Sequence, residues 1–299
     1  MAKSAAASSF IMQGQSNKNE WVERQKSVRN EVTQLQNSGI DKITSDPATY
    51  QTYLDMQGRN LHISAGNIAA AIQQRPDCTV IATAAKWAKQ GRTLNNGEKD
   101  NGIKALVPQP KNPQYFQVGE MYDISQTNGK EYAPNIVLKD GTLEMEKALT
   151  ALSRFSPVDI EPCEMQGALY DPNDKKIFFS EEMKHGETFA ALATEIGFAK
   201  THIAVGDNYD RATYAIDGQS IGYVVSKHFG VEAQAPDTSD VAKVYKGMDT
   251  ELRRDVLNFI NGTSKQMSKT IENEINPPQP QRQQNRGAAG RTGNSRKNR

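Results

Sequence analysis

The residues with the most chemical content lie between positions 59 and 104. Lys86, Trp87, Lys89, Arg92, Lys99 and Lys104 interleave cations with a flat ring beside a glycine-rich turn, and Arg59, His62 and Asn67 precede them. Cations neutralise phosphates, and flat side chains give unpaired bases a surface to stack on. The mixture therefore suits a sequence-tolerant site for single-stranded nucleic acid. Glycine lets backbone approach a phosphate closely. The same residues admit a plainer reading, in which Trp87 anchors a core and the lysines form a solvated face. Residue types alone leave both open.

Other chemistries find no support. No GxxxxGK[ST] loop or GxSxG elbow is present. Cys78 and Cys163 have no plausible histidine partner and cannot build a disulfide framework or a cysteine zinc site, so both are expected as buried thiols in a reducing cytoplasm. Asp171-Pro-Asn-Asp174 pairs carboxylates, but in a turn signal rather than a calcium loop.

The elements that must position these residues divide a chain of 299 residues, 36% hydrophobic and 24% charged, which is the composition of a globular protein. No apolar run approaches a membrane span or a secretory signal, so a cytoplasmic protein with no membrane partner is expected. Residues 1–19 are rich in Ala, Ser, Gln and Asn and are expected to be disordered. Residues 277–299 carry six basic and no acidic side chains, leaving the rest of the chain at net −5. That tail is expected to be disordered too, either tracking phosphates or aiding solubility.

Between the ends, apolar spacing predicts helices over 20–36, from Asp46-Pro47 to about 62, from Ser64 or Asn67 to before Pro76, and over 83–90. Strands follow at 102–108 and 115–124, then a linker over 128–140. The second half reads as a helix over 142–155, a hairpin around Asp171, and helices over 187–202, 210–229 and 250–275. The fold class is α+β: an α/β domain over 20–138, then a mostly helical domain over 139–276.

Ser64-Ala-Gly-Asn67, Ala84-Ala-Lys-Trp87, Gly91-Arg92, Asn96-Gly-Glu-Lys99, Pro108 and Asp123-Ile-Ser-Gln-Thr127 occur in an order that resembles the N-terminal domain of the ArdC-type antirestriction proteins of plasmids and conjugative elements. The match runs from Thr49 to Thr127. The resemblance implies single-stranded DNA as partner, which agrees with the reading of the nine residues named first. The second half is similar to the metallopeptidase-like domain of the same proteins, whose helix carries an HExxH zinc motif. In Phe189-Ala-Ala-Leu-Ala-Thr-Glu-Ile-Gly-Phe-Ala199, Glu195 keeps the position of the catalytic base, but Thr194 and Phe198 stand at the two histidine positions. The third ligand position falls on Asp217 or Gln219, while His185 and His202 lie outside the motif. Zinc catalysis needs three protein ligands and an open site. The resemblance therefore implies a degenerate zincin-like scaffold with no metal, no cofactor and no peptidase activity. The expected function is handling or protecting DNA of a mobile element or phage. The alternatives are a metalloprotease with a remodelled site, or a pseudoenzyme that docks a protein.

Overall fold

The computed structural model describes residues 2–133 and 136–277, the side chains of residues 2–16 excepted. The expected tail lies outside the described residues, save Pro277. The fold is α+β, as expected. It opens on one helix, α1 (Ala2–Ile43), so residues 2–19 are helical where disorder was expected. Alanine carries no side-chain entropy cost in a helix, and extending an anchored helix is far easier than nucleating one. The anchor is the C-terminal part of α1, where Val32, Ile40 and Ile43 are buried.

Two helices follow with caps legible in the sequence. In α2 (Pro47–Arg59) the Asp46 carboxylate accepts the Thr49 N–H at 2.8 Å. In α3 (Ala65–Gln74) Ser64 is the cap. Residues Ala65 to Ile72 of α3 are all buried, because small side chains let neighbours close on every face. At its contact with α1, a Cβ on Gly39 would lie 2.5 Å from the Ala69 carbonyl oxygen.

A small antiparallel sheet orders β1 (Ile81–Ala82), β4 (Phe116–Asp123) and β3 (Ile103–Pro108), with Ile103 opposite Met121. Between β1 and β3 come the short helix α4 (Ala84–Lys89) and β2 (Arg92–Leu94), which pairs with β5 (Thr127–Gly129). The second half holds α5 (Leu143–Phe155), then β6 (Asp159–Pro162), β7 (Ala168–Asp171) and β8 (Lys176–Phe179). Here β8 is central, parallel to β6 and antiparallel to β7. In the turn between β7 and β8, Asp171 Oδ1 accepts the N–H groups of Asn173 and Asp174, which is the turn role expected of it. After β8 come α6 (His185–Val205), α7 (Ala215–His228), α8 (Val241–Val244) and α9 (Thr250–Ile275). Strands β1, β2, β5 and β6 and helix α8 were not expected; each is too short to show a period. Cys78 is buried, but Cys163 is exposed, contrary to expectation.

One hydrophobic core runs across the boundary drawn at 138/139. Tyr50, Tyr53 and Leu54 of α2 belong to it together with Val224 and Val225 of α7 and Leu257 and Ile260 of α9. Hydrogen bonds cross the same boundary, between Tyr50 Oη and Ser220 Oγ at 3.1 Å and from Tyr53 Oη to the Leu257 carbonyl at 3.4 Å. Helix α2 is apolar on two sides, so it packs on the first half and the second at once. The fold is thus not two separate cores in series. Among the described residues, no helix is long and apolar enough to cross a membrane.

Candidate functional site

A recess of about 630 Å³ opens where the end of α2, helix α4 and the ends of α7 and α9 meet. It gathers five of the nine residues read from the sequence: Arg59, His62, Lys86, Trp87 and Lys89. Thr83 caps α4, so the short helix presents Lys86 and Lys89 outward and turns Trp87 inward. The second half adds Lys227, His228 and Glu272, and the segment after β5 adds Tyr132. Lys227, His228 and Glu272 were missed, since well over a hundred residues separate α7 and α9 from α4 and no spacing rule links them; Tyr132 was missed because it falls in the stretch read as a linker.

The charge of the recess is mostly positive. Among the described residues, Arg59, Lys86, Lys89 and the neighbouring Lys265 form no ion pair. Lys227 pairs with Asp55 at 2.8 Å. His228 sits between the Gly58 carbonyl and Glu272 Oε1, each at 3.1 Å. His62 is exposed where it lines the recess, and partial desolvation there, followed by the charges of Lys86, Lys265 and His228, pushes its imidazole down to about 4. It is therefore neutral at pH 7, one ring nitrogen a donor and the other an acceptor. Burial, then Lys265 and Lys89, also lowers the pKa of Lys86.

Trp87 corrects the stacking expectation. It is 1% exposed, packs with Ala82 and Tyr122, and donates its indole N–H to the Tyr122 carbonyl at 2.8 Å. At that exposure no ring face is open to a base. Asn67 is corrected as well. At 6% exposure, its amide accepts the Leu106 N–H at 3.0 Å and donates to the Leu106 carbonyl at 2.8 Å, as a neighbouring strand would. Like Asn67, three other expected residues lie away from the recess lining. Arg92 spends its guanidinium on Thr127 Oγ1, the Thr127 carbonyl and the Lys130 carbonyl. Lys104 pairs with Glu31 of α1 at 2.8 Å. Lys99 is exposed in the turn at Glu98–Asp100, where its carbonyl accepts the Tyr122 hydroxyl.

The second region of interest is the crossing of α6 and α7. Thr194 and Phe198 sit one turn apart on α6, and Gly222 and Gly218 sit one turn apart on α7 opposite them. A Cβ on Gly222 would strike Thr194, and one on Gly218 would lie 2.5 Å from the Phe198 ring. Two missing side chains thus let the helices close over the positions where the resemblance puts zinc ligands. The Thr194 hydroxyl donates to the Ala190 carbonyl at 2.9 Å. Glu195, 4% exposed, accepts the Tyr170 N–H at 2.7 Å and both arms of Arg211, at 2.8 and 2.7 Å. The guanidinium also lies over the Phe198 ring, 3.8 Å from its centroid. A zinc ion does not fit this donor set: one hydroxyl is spent, one ring is apolar, and a resident cation already neutralises the carboxylate. Among the described residues, no three His, Cys, Asp or Glu side chains gather in a metal-binding group.

Asp217 has a separate place. It is 8% exposed, and its Oδ1 is buried without a hydrogen-bond partner. Its charge is felt by Tyr50 and Tyr245, and burial raises its pKa from 3.8 to about 7. Because the folded value lies above the unfolded one, the contribution of this carboxyl to stability is fully present below 3.8 and is lost as pH rises toward 7. The loss is at most roughly 1.4 kcal/mol per pH unit over that window. Asp217→Asn is expected to flatten this slope and to stabilise the chain at pH 8, as read by urea denaturation across pH. An unchanged slope would refute the assignment. Gln219, the other expected third-ligand position, is half-buried on the same helix.

No protein-family model matches the chain, and no curated protein matches it. Among solved structures, the chain is similar to the metal-free crystal structure of the antirestriction protein ArdC from plasmid R388, at 13% identity over 70% of this chain and 84% of that one, with a TM-score of 0.43. It is similar also to the Mn(II)-bound structure of that protein, at 15% identity over 71% and 84%, with a TM-score of 0.41.

Proposed function

We propose that the chain is a sequence-tolerant single-stranded DNA-binding protein, without enzymatic activity, that handles or protects the DNA of a mobile element in an antirestriction-like role. The observation that carries the reading is the set of unpaired cations, Arg59, Lys86, Lys89 and Lys265, gathered around one recess. Like charges that outnumber their acidic neighbours repel one another, and a phosphate backbone relieves that repulsion while releasing counterions. Stacking by Trp87 is not part of the proposal; Tyr132, half-buried at the recess, is the aromatic ring placed to meet a base. The centre at Glu195 is structural in this reading, its carboxylate serving the contact between α6, β7 and Arg211.

The test is titration of the full chain with single- and double-stranded oligonucleotides over a range of salt. Lys86→Ala with Lys89→Ala is expected to weaken single-strand binding by tenfold or more at low salt. The slope of log affinity against log salt should fall by roughly 1.4, two lost phosphate contacts at about 0.7 each. Both lysines are exposed, so the fold should be unaffected. An unchanged slope would place the DNA elsewhere.

A further inference from the structure

The recess is deeper than backbone tracking requires. Phosphate contacts need only surface cations, yet the cations here ring the mouth of a cavity of about 630 Å³, within the range of small-molecule sites. Its floor includes Val80, Ala82 and Ile136, apolar side chains with nothing to offer a phosphate. Polar groups of complementary kinds stand among them. The neutral His62 ring supplies one donor and one acceptor. Glu272, held by His228, supplies a carboxylate acceptor. A ligand matching this set is flat and largely apolar in its body, carries N–H donors and acceptors on one edge, and ends in an anion.

We propose that the recess takes up one nucleotide, its base lodged on the Val80–Ala82–Ile136 floor beside Tyr132 and its phosphate at Lys86 and Lys89. The proposal deepens the single-strand reading and rests on it, because a base paired in a duplex cannot enter. Every nucleobase has two flat faces and an N–H donor on its pairing edge, so occupancy of the recess is compatible with sequence tolerance. The nucleotide comes either from an unpaired position of a strand or from solution; both present the same chemistry.

The experiment uses the full chain and three probes: a labelled single-stranded oligonucleotide, a strand of equal length with abasic sugars throughout, and dAMP. Fluorescence anisotropy should show the intact strand bound about tenfold more tightly than the abasic one, within what one stacked base contributes. Val80→Trp, which fills the floor and leaves the cations, should lower the intact strand to the abasic affinity, and dAMP should compete with the intact strand. Equal binding of the two strands by the unmodified chain overturns the pocket while leaving the single-strand reading in place. If neither strand binds, the single-strand reading fails. Calorimetry with dAMP then decides the pocket alone: heat that Val80→Trp abolishes supports it, and no heat overturns it.

Discussion

Arg211→Met is expected to destabilise the chain by about 3 kcal/mol, measured by urea denaturation at pH 7. Removing one member of a buried ion pair strands the other, at a cost of about 3–5 kcal/mol. The lower end applies because the Arg211 side chain is 36% exposed, while that of Glu195 is 6% exposed. Glu195 would keep only the Tyr170 N–H as partner. The double variant Glu195→Gln with Arg211→Met should recover most of the loss, since replacing both charges removes the desolvation that made either one costly alone. A single variant within about 0.5 kcal/mol of the parent would show that Glu195 finds solvent, and that the pair does not hold α6 to the segment before α7.

Trp87→Ala should cost about 3–5 kcal/mol through the cavity it leaves between β1, β4 and Tyr132. Trp87→Phe should cost less, losing mainly the bond to the Tyr122 carbonyl. The informative comparison is DNA affinity well below each melting temperature. A core anchor predicts that Trp87→Phe binds a single strand as the parent does, with any loss in Trp87→Ala following its unfolded fraction. A stacking residue predicts a graded loss of affinity in folded protein. Titration beside thermal melting of the same samples separates the two, and a folded Trp87→Phe protein with tenfold weaker binding would overturn the anchor assignment.

What the sequence determined by itself is local. The caps at Asp46 and Ser64, the run of small residues in α3 and the turn at Asp171 all follow from neighbours within a few positions. The absence of histidines at Thr194 and Phe198 is likewise a fact of composition. It limits the chemistry before any coordinates are considered.

What only the tertiary structure decided is which side chains meet. A tryptophan flanked by lysines reads the same whether it faces a base or a carbonyl, and the position of Tyr122 against α4 settled it for Trp87. Asn67 on an apolar helix reads as a ligand-binding residue until the edge of β3 arrives to take both halves of its amide. The match of Gly218 and Gly222 to Phe198 and Thr194 depends on the register of α7 on α6, which no period within either helix encodes. The recess is the extreme case. Lys86 and Lys89 were visible as cations, but Lys227, His228 and Glu272 reach them only because α2 packs on both halves of the chain. Hydrophobic spacing fixes which face of an element is buried, and the summed packing of distant elements fixes what that face is buried against.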